Sequence, residues 1–223
     1  MKENKRIDND IRRATVRFPK LRRRWNEEQA VWILEGDLDI CDIKGIYWDT
    51  FAVAILLDSK YPHSVPLVIE TSEKIPRNSE RHISKSGVCC LDIEHRLLHW
   101  AQRGIILSDF ITEKVYPFFA NQLYFEDKKC YAGDEYLHRF QGVQQFYSEE
   151  LDITEPSQAI LLIQAILNNR LPERNKLCPC NSMTKFKKCH QASVEFLIQV
   201  GIDQLKKDLQ GFEEIRDSTI ENI

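Results

Sequence analysis

The stretch "RHISKSGVCCLDI", residues 81–93, places Cys89 and Cys90 side by side after Gly87 and Val88, downstream of His82. Four readings fit two thiols at one spot: small buried hydrophobes, metal ligands, a redox pair, or a nucleophile with a neighbour. In extended chain adjacent residues point to opposite faces, so one cysteine can pack inward while the other meets solvent. The flanking sequence has to decide among these readings.

Upstream, "AVWILEGDLDI" (30–40), "TFAVAILL" (50–57) and "VPLVIE" (65–70) are short runs rich in Val, Ile, Phe and Trp. The turn-forming segments "IKGIYWD" (43–49) and "DSKYPHSVP" (58–66) separate them, which is the pattern of an antiparallel strand series. Phe51, Val53, Ile55 and Leu57 alternate with Ala52 and Ala54, giving a bulky face and a small one; the small face is expected to take a closely packed helix. Downstream, Leu91 to Arg103 shows no regular period. Ile106, Phe110, Val115 and Phe119 then fall near helical spacing, with Pro117 expected to break or kink that helix. "GVQQFYSEEL" (142–151) and "EPSQAILLIQAILNNR" (155–170) read as helices, the second with Pro156 in its first turn. "SVEFLIQVGIDQLKKDLQGFEEI" (193–215) reads as a final amphipathic helix. Helix, grouped strands, an irregular cysteine segment and then helices make an α+β pattern.

Composition narrows the function classes. The 223 residues are 43% hydrophobic and 29% charged, enough for one medium domain with an appendage. A net charge of −3 gives no global pull toward nucleic acid or membrane. The opening "MKENKRIDND" is too polar for a signal peptide, and no apolar run approaches a membrane span, so a cytoplasmic protein is expected. In that compartment the seven cysteines are expected to stay unpaired, with clustered ones serving metal binding or catalysis. Cys41 and Cys130 stand alone in the sequence. Arg12, Arg13, Arg17, Lys20, Arg22, Arg23 and Arg24 form a basic N-terminal run, readable as a solvated helix face or as a docking surface for an acidic partner.

Taken together these segments resemble the ubiquitin-conjugating enzymes over roughly residues 11–122, about half the chain. "YPHSVPLVIE" (61–70) is similar to that family's Tyr-Pro-x-x-x-Pro-x-Val segment, and "GVCCLDI" (87–93) to its Gly-x-x-Cys-Leu-Asp-Ile active-site strip. Trp100 and "IILSDFI" (105–111) follow where the family carries a tryptophan and the helix after the active site. The resemblance is strongest to bacterial conjugating-enzyme-like proteins, some of which serve anti-phage defence beside nucleotidyltransferases. It implies an antiparallel meander sheet with an N-terminal helix and helices after the active site, in a domain spanning 1–155.

The resemblance also implies that Cys90 is the nucleophile. It would take the C-terminal carboxylate of a partner protein, a nucleotidyltransferase or a ubiquitin-like protein, as a thioester and pass it to an amine. A thiolate suits that role as both attacking and leaving group. Cys89 is then an inward-packing neighbour. His82-Ile83-Ser84 stands where the family has His-Pro-Asn, with a shorter gap to the cysteine. Transfer to lysine therefore lacks the asparagine that would stabilise an oxyanion, and Ser84 or Asn78 are the candidate replacements. His82 reads equally as a structural hydrogen-bonding residue or as part of the active site. Asp92 reads as orienting an incoming amine or as facing water. No glycine-rich nucleotide loop occurs, so the cysteine is expected either to be charged by a separate activating enzyme or to act on a partner in some other way. The alternative is a catalytically weak or inactive binding module of the same fold.

A second cluster stands apart. "CPCNSMTKFKKCH" (178–190) offers Cys178, Cys180, Cys189 and His190, four soft ligands at the compact spacing of a closed, structural zinc site. The stretch resembles the C-terminal zinc motif of the SecA translocation ATPase (SEC-C), with Ser182, Lys185, Phe186 and Lys187 matching and Asn181 and Met183 in place of the usual glycines. That resemblance implies protein docking. Residues 156–223 are read as a small helical zinc-knuckle region. The basic knuckle and N-terminus also admit nucleic-acid binding, against which the overall negative charge counts.

Overall fold

The computed structural model describes residues 5–133 and 135–220. Contacts gather the chain into two compact units: Met1–Asp92 with Trp100–Glu135, and Ile93–His99 with Tyr136–Ile223. The architecture is α+β: an N-terminal helix, a four-stranded antiparallel meander, several helices, and a cysteine-rich helical C-terminal region.

In the first unit, helix α1 (Lys5–Arg17) precedes strands β1 (Leu21–Asn26), β2 (Val31–Cys41), β3 (Tyr47–Leu57) and β4 (Leu67–Glu70). The strands lie in sequence order, each antiparallel to the next. Leu34 faces Ile55 and Leu38 faces Phe51 across β2 and β3, so the bulky sets of both strands share one buried face. Strand β1 was not legible as a strand. Its Arg22, Arg23 and Arg24 are one half of the basic N-terminal run, and the other half, Arg12, Arg13 and Arg17, lies on α1. Several of these charges meet carboxylates: Arg24 makes a two-pronged contact with Glu35, Lys20 pairs with Asp39, and Arg23 pairs with Asp8. Three of the seven charges thus pair within the unit.

Helix α2 (Glu94–Arg103) occupies the stretch in which the sequence shows no period. Its buried residues are Leu97 and Ala101 together with a histidine, His95, so an apolar count misses its inner face. Next come α3 (Leu107–Phe110), a π-helical turn (Ile111–Val115) and α4 (Tyr116–Lys128) without interruption. Pro117 therefore does not break the helix; the backbone is distorted instead, into the π-helical turn directly before α4. The widened turn before it takes up the missing N–H and the ring's demand on the preceding carbonyls. Against expectation, α4 packs on the bulky face of the sheet, where Phe119 stacks on Phe51 with ring centroids 4.8 Å apart; Ala52 and Ala54 lie on the other, half-exposed face. Burial of large apolar area outweighs the closer approach that a small face would allow.

The second unit contains α5 (Phe140–Leu151), α6 (Pro156–Leu167), α7 (Gln191–Val200) and α8 (Ile202–Ile220). Its core joins Phe146 and Tyr147 of α5, Leu162 and Ile163 of α6, Leu197 of α7 and Leu205 of α8. The single terminal helix read from the sequence is two helices. Gly201, at φ 102°, turns the chain between them, a conformation open to glycine and strained for other residues. Among the described residues no helix is long and apolar enough to cross a membrane.

Candidate functional site

The cysteine strip is a small hairpin laid along the free edge of β4. Ser84 N donates to Val88 O at 2.9 Å and Cys90 N to His82 O at 2.8 Å, with Ile83 and Cys89 bridged between them. Gly87 N donates to Ser84 O at 2.9 Å, closing the turn. On the other side Glu70 N donates to Gly87 O at 2.9 Å and Cys89 N to Val68 O at 2.8 Å. Backbone bonds thus stitch strip and sheet edge together, with the side chains left to alternate.

That alternation separates the thiols. Ile83 and Cys89 point inward, Cys89 being 8% exposed, while Cys90 is exposed. Burial pushes the Cys89 thiol up to about 12, so it stays protonated and inert at neutral pH. Cys90 Sγ lies 4.0 Å from the carbonyl oxygen of Asp92.

The other residues singled out from the sequence surround this hairpin in different roles. His82 adopts a left-handed backbone, φ 51°, and ends the short 3-10 turn Ser79–Arg81. Its Nε2 lies 2.6 Å from Glu135 Oε1, and its ring meets Tyr131 edge to face at 5.6 Å. The Ser84 hydroxyl accepts from Val88 N at 3.0 Å and lies 3.0 Å from Ser86 Oγ, so it is engaged within its own turn. Asn78 uses its side-chain oxygen to accept from Arg81 N at 2.9 Å, capping the 3-10 turn. Asp92 does not simply face water: its Oδ2 lies 2.6 Å from Lys114 Nζ in the π-helical turn. Glu135 and Lys114 escaped sequence reasoning because they are far from the strip in sequence and belong to no motif.

Two buried polar anchors fix the strip's ends. Arg81, 6% exposed, donates through Nε to Gln122 Oε1 at 2.8 Å, ion-pairs with Glu126, and lies over the Phe125 ring at 4.5 Å. Gln122 returns a bond from Nε2 to Arg81 O at 3.1 Å. At the other end, the buried Glu70 has Arg77 Nη2 2.8 Å from its Oε2, and the same nitrogen donates to its backbone carbonyl at 2.8 Å. Gly87 lies flush against this pair. A Cβ there would stand 2.7 Å from Glu70 O and 2.8 Å from Arg77 Nη1, and the φ of 86° is itself glycine territory.

In the second unit, Cys178, Cys180, Cys189 and His190 bring their ligand atoms within 4.8 Å of one another. Cys178 Sγ lies 3.5 Å from His190 Nδ1, Cys180 Sγ 3.5 Å from Cys189 Sγ, and Cys189 Sγ 3.2 Å from His190 Nδ1. A tetrahedral zinc with thiolates at about 2.3 Å and imidazole at about 2.0 Å sets ligand separations of roughly 3.5–3.8 Å, so four ligand atoms within 4.8 Å of one another could close onto the ion with shifts of up to about 1 Å. His190 Nε2 donates to Asp152 O at 2.9 Å, which leaves Nδ1 as the ligating nitrogen. Burial pushes the Cys178 thiol up to about 12. Burial also opposes ionisation at Cys180, but hydrogen bonds from Ser182 and the two neighbouring thiols bring it down to about 6. The cluster sits on a knuckle in which Cys178 N donates to Thr184 O at 2.8 Å and Phe186 N to Lys176 O at 2.8 Å. Asn181 and Met183 keep the glycine-like turns, at φ 64° and 59°. Phe186, Cys178 and Cys180 belong to the helical core, so the knuckle is rooted in apolar packing as well as in its ligands.

Within the same unit, His95 Nε2 and Tyr147 OH converge on Asp208 Oδ2 at 2.7 and 2.8 Å in a fully buried cluster. Tyr147 is held well above its ordinary pKa, first by burial and then by the carboxylate, so it acts as a donor only. This cluster is a polar rivet between helices α2, α5 and α8.

Residues 174–192 match the SEC-C motif, which spans the four-ligand cluster. The cluster could therefore hold a metal such as zinc on both family and geometric grounds. No curated protein and no solved structure matches the chain.

Proposed function

We propose that the chain is a conjugating-enzyme-like acyl carrier. Cys90 takes the C-terminal acyl group of a partner protein as a thioester and hands it to an amine. The observation that supports this reading best is the division of labour in the strip: Cys90 is exposed at the end of a backbone-stitched hairpin, while Cys89 is buried. A thiolate at Cys90 attacks the carbonyl carbon of an activated C-terminus, and the activating group departs with its electron pair. An amine then attacks the thioester, loses a proton, and the Cys90 thiolate leaves. The partner suggested by the sequence resemblance is a nucleotidyltransferase or a ubiquitin-like protein in a bacterial defence system, with a separate activating enzyme. The domain division read from the sequence, 1–155 for the carrier and 156–223 for the zinc-bearing region, belongs to the same proposal. In it the SEC-C knuckle, zinc-loaded and basic through Lys185, Lys187 and Lys188, recruits the protein partner.

Mixing the protein with a candidate partner and its activating enzyme, followed by intact mass under non-reducing conditions, tests the proposal. The expected product is a thiol-sensitive adduct that Cys90→Ala abolishes and Cys89→Ala retains. An adduct that survives Cys90→Ala, or none with any candidate, removes it.

A second reading has one observation in its favour. Ser84, the nearest replacement for the missing asparagine, is engaged with Val88 and Ser86. A domain that binds its partner without transfer to lysine would tolerate that arrangement, and would bind equally well with Cys90→Ala.

A further inference from the structure

The three thiols that fit a zinc ion are not equivalent. Cys178 and Cys180 are buried and belong to the helical core, whereas Cys189 is half-buried and packs against its edge. Cys189 Sγ lies 3.5 Å from Cys180 Sγ and 3.2 Å from Ser182 Oγ. Cys180 Sγ lies 3.1 Å from the same hydroxyl, so the two sulfurs flank Ser182. Cys178 Sγ lies 3.5 Å from His190 Nδ1. All four ligand atoms lie within 4.8 Å of one another, so proximity alone does not single out a pair of sulfurs. Access does: a small polar reagent meets the half-buried Cys189 first, and Cys180 stands against it.

The chain between the two can adjust. A disulfide holds its sulfurs about 2.05 Å apart, so a separation of 3.5 Å must shrink by about 1.5 Å. Asn181, Ser182 and Met183, which follow Cys180, are exposed, and little packing resists a shift of this turn. Phe186, nearer Cys189, is buried in the helical core and anchors the far side of the loop. Closing the bond therefore moves a surface turn and leaves the helices in place.

We propose that Cys180 and Cys189 form a site of reversible oxidation by hydroperoxides, closing to a disulfide that makes the chain give up its metal. The Cys189 sulfur attacks one oxygen of hydrogen peroxide, the O–O bond breaks, and a sulfenic acid forms while hydroxide leaves and is protonated to water. The Cys180 sulfur then attacks the sulfenic sulfur. The S–O bond breaks, the S–S bond forms, and a second water departs. Two thiols and one peroxide give one disulfide and two waters; the sulfurs lose two electrons and the peroxide gains them. Cys178 and His190 alone remain as ligands, too few for a closed four-coordinate site. A dithiol reductant reverses the change by exchange. The inference uses no residue of the Cys90 strip and stands apart from the acyl-carrier reading.

The test treats zinc-supplemented, full-length protein with hydrogen peroxide. Zinc release is followed with a chromogenic chelator, and unreduced peptide fragmentation locates any new bond. The expected result is a Cys180–Cys189 disulfide, with a mass loss of about 2 Da, forming in step with zinc release and undone by dithiothreitol and added zinc. Cys189→His keeps four ligands and removes one of the two sulfurs, so it should release zinc at least about tenfold more slowly under peroxide. Cys178→His also keeps four ligands and should release zinc at the parent's rate. Three results overturn the proposal: a bond from Cys178 in place of the expected one, oxidation that dithiothreitol does not reverse, or Cys189→His losing zinc as fast as the parent. Mapping of the parent reads the bond even where a variant fails to fold or to hold the ion, and absence of that bond in the parent is equally fatal.

Discussion

His190 Nε2 and the carbonyl oxygen of Asp152 lie 2.9 Å apart, tying the last ligand of the SEC-C cluster to the end of helix α5. That bond fixes the tautomer of His190 and sets its Nδ1 among the three thiols. It also makes the ligand cluster part of the helical core.

Zinc should consequently be recovered at one equivalent per chain by elemental analysis of protein purified without chelator. Cys178→Ser should reduce the occupancy to about a tenth or less under mild chelation. Stripping the ion should lower the melting temperature of the second unit. The helices should remain largely folded, because Phe186 and its neighbours still pack; far-UV circular dichroism before and after chelation checks this. Complete loss of helix would show that the metal, not the core, holds the unit together.

Thiol reactivity should separate the adjacent cysteines. At pH 8, iodoacetamide should label Cys90 at least about a hundredfold faster than Cys89, the order set by exposure and thiolate fraction. Stability should show the same asymmetry. Cys89 is raised to about 12 in the folded chain, so its contribution is fully present below the ordinary thiol pKa. As pH climbs from there toward the folded value, the unfolded chain ionises first and stability falls by up to about 1.4 kcal/mol per unit. Denaturant titrations across alkaline pH should show a shallower slope in Cys89→Ala.

Gly87→Ala should destabilise the first unit by about 2–4 kcal/mol, combining a left-handed φ with collision against Glu70 O and Arg77. Urea unfolding gives the value. A loss under about 1 kcal/mol would mean that the strip can lift from the sheet edge.

Met183→Gly should stabilise the knuckle by up to about 1 kcal/mol. The methionine is exposed at φ 59°, so removing its side chain relieves backbone strain and surrenders little packing. Asn181→Gly should be closer to neutral, since asparagine tolerates this conformation. Chelator-dependent melting of the two variants provides the comparison.

Asp208→Ala should cost about 3 kcal/mol or more, leaving both His95 and Tyr147 with a buried, unanswered donor. Tyr147→Phe removes one donor along with its need and should cost nearer 1 kcal/mol. Thermal unfolding of the pair distinguishes a shared acceptor from two independent contacts.

The sequence by itself determined those features that are written locally. Alternating bulky residues define β2 and β3, turn residues separate them, and Pro156 opens α6. The four ligands of "CPCNSMTKFKKCH" lie close enough in the chain for their spacing to specify the cluster. Tertiary structure decided whatever depends on distant partners. Leu21–Asn26 is a strand because it pairs along β2, where Arg24 meets Glu35, and no pattern within three consecutive arginines announces that. Helix α2 hides its inner face behind His95, which is buried only because Asp208 answers it. Pro117 stays helical because a π turn before it adjusts the backbone. The two thiols of the opening strip look alike in sequence. They differ because one strand of backbone bonds turns Cys89 into the core and Cys90 out of it.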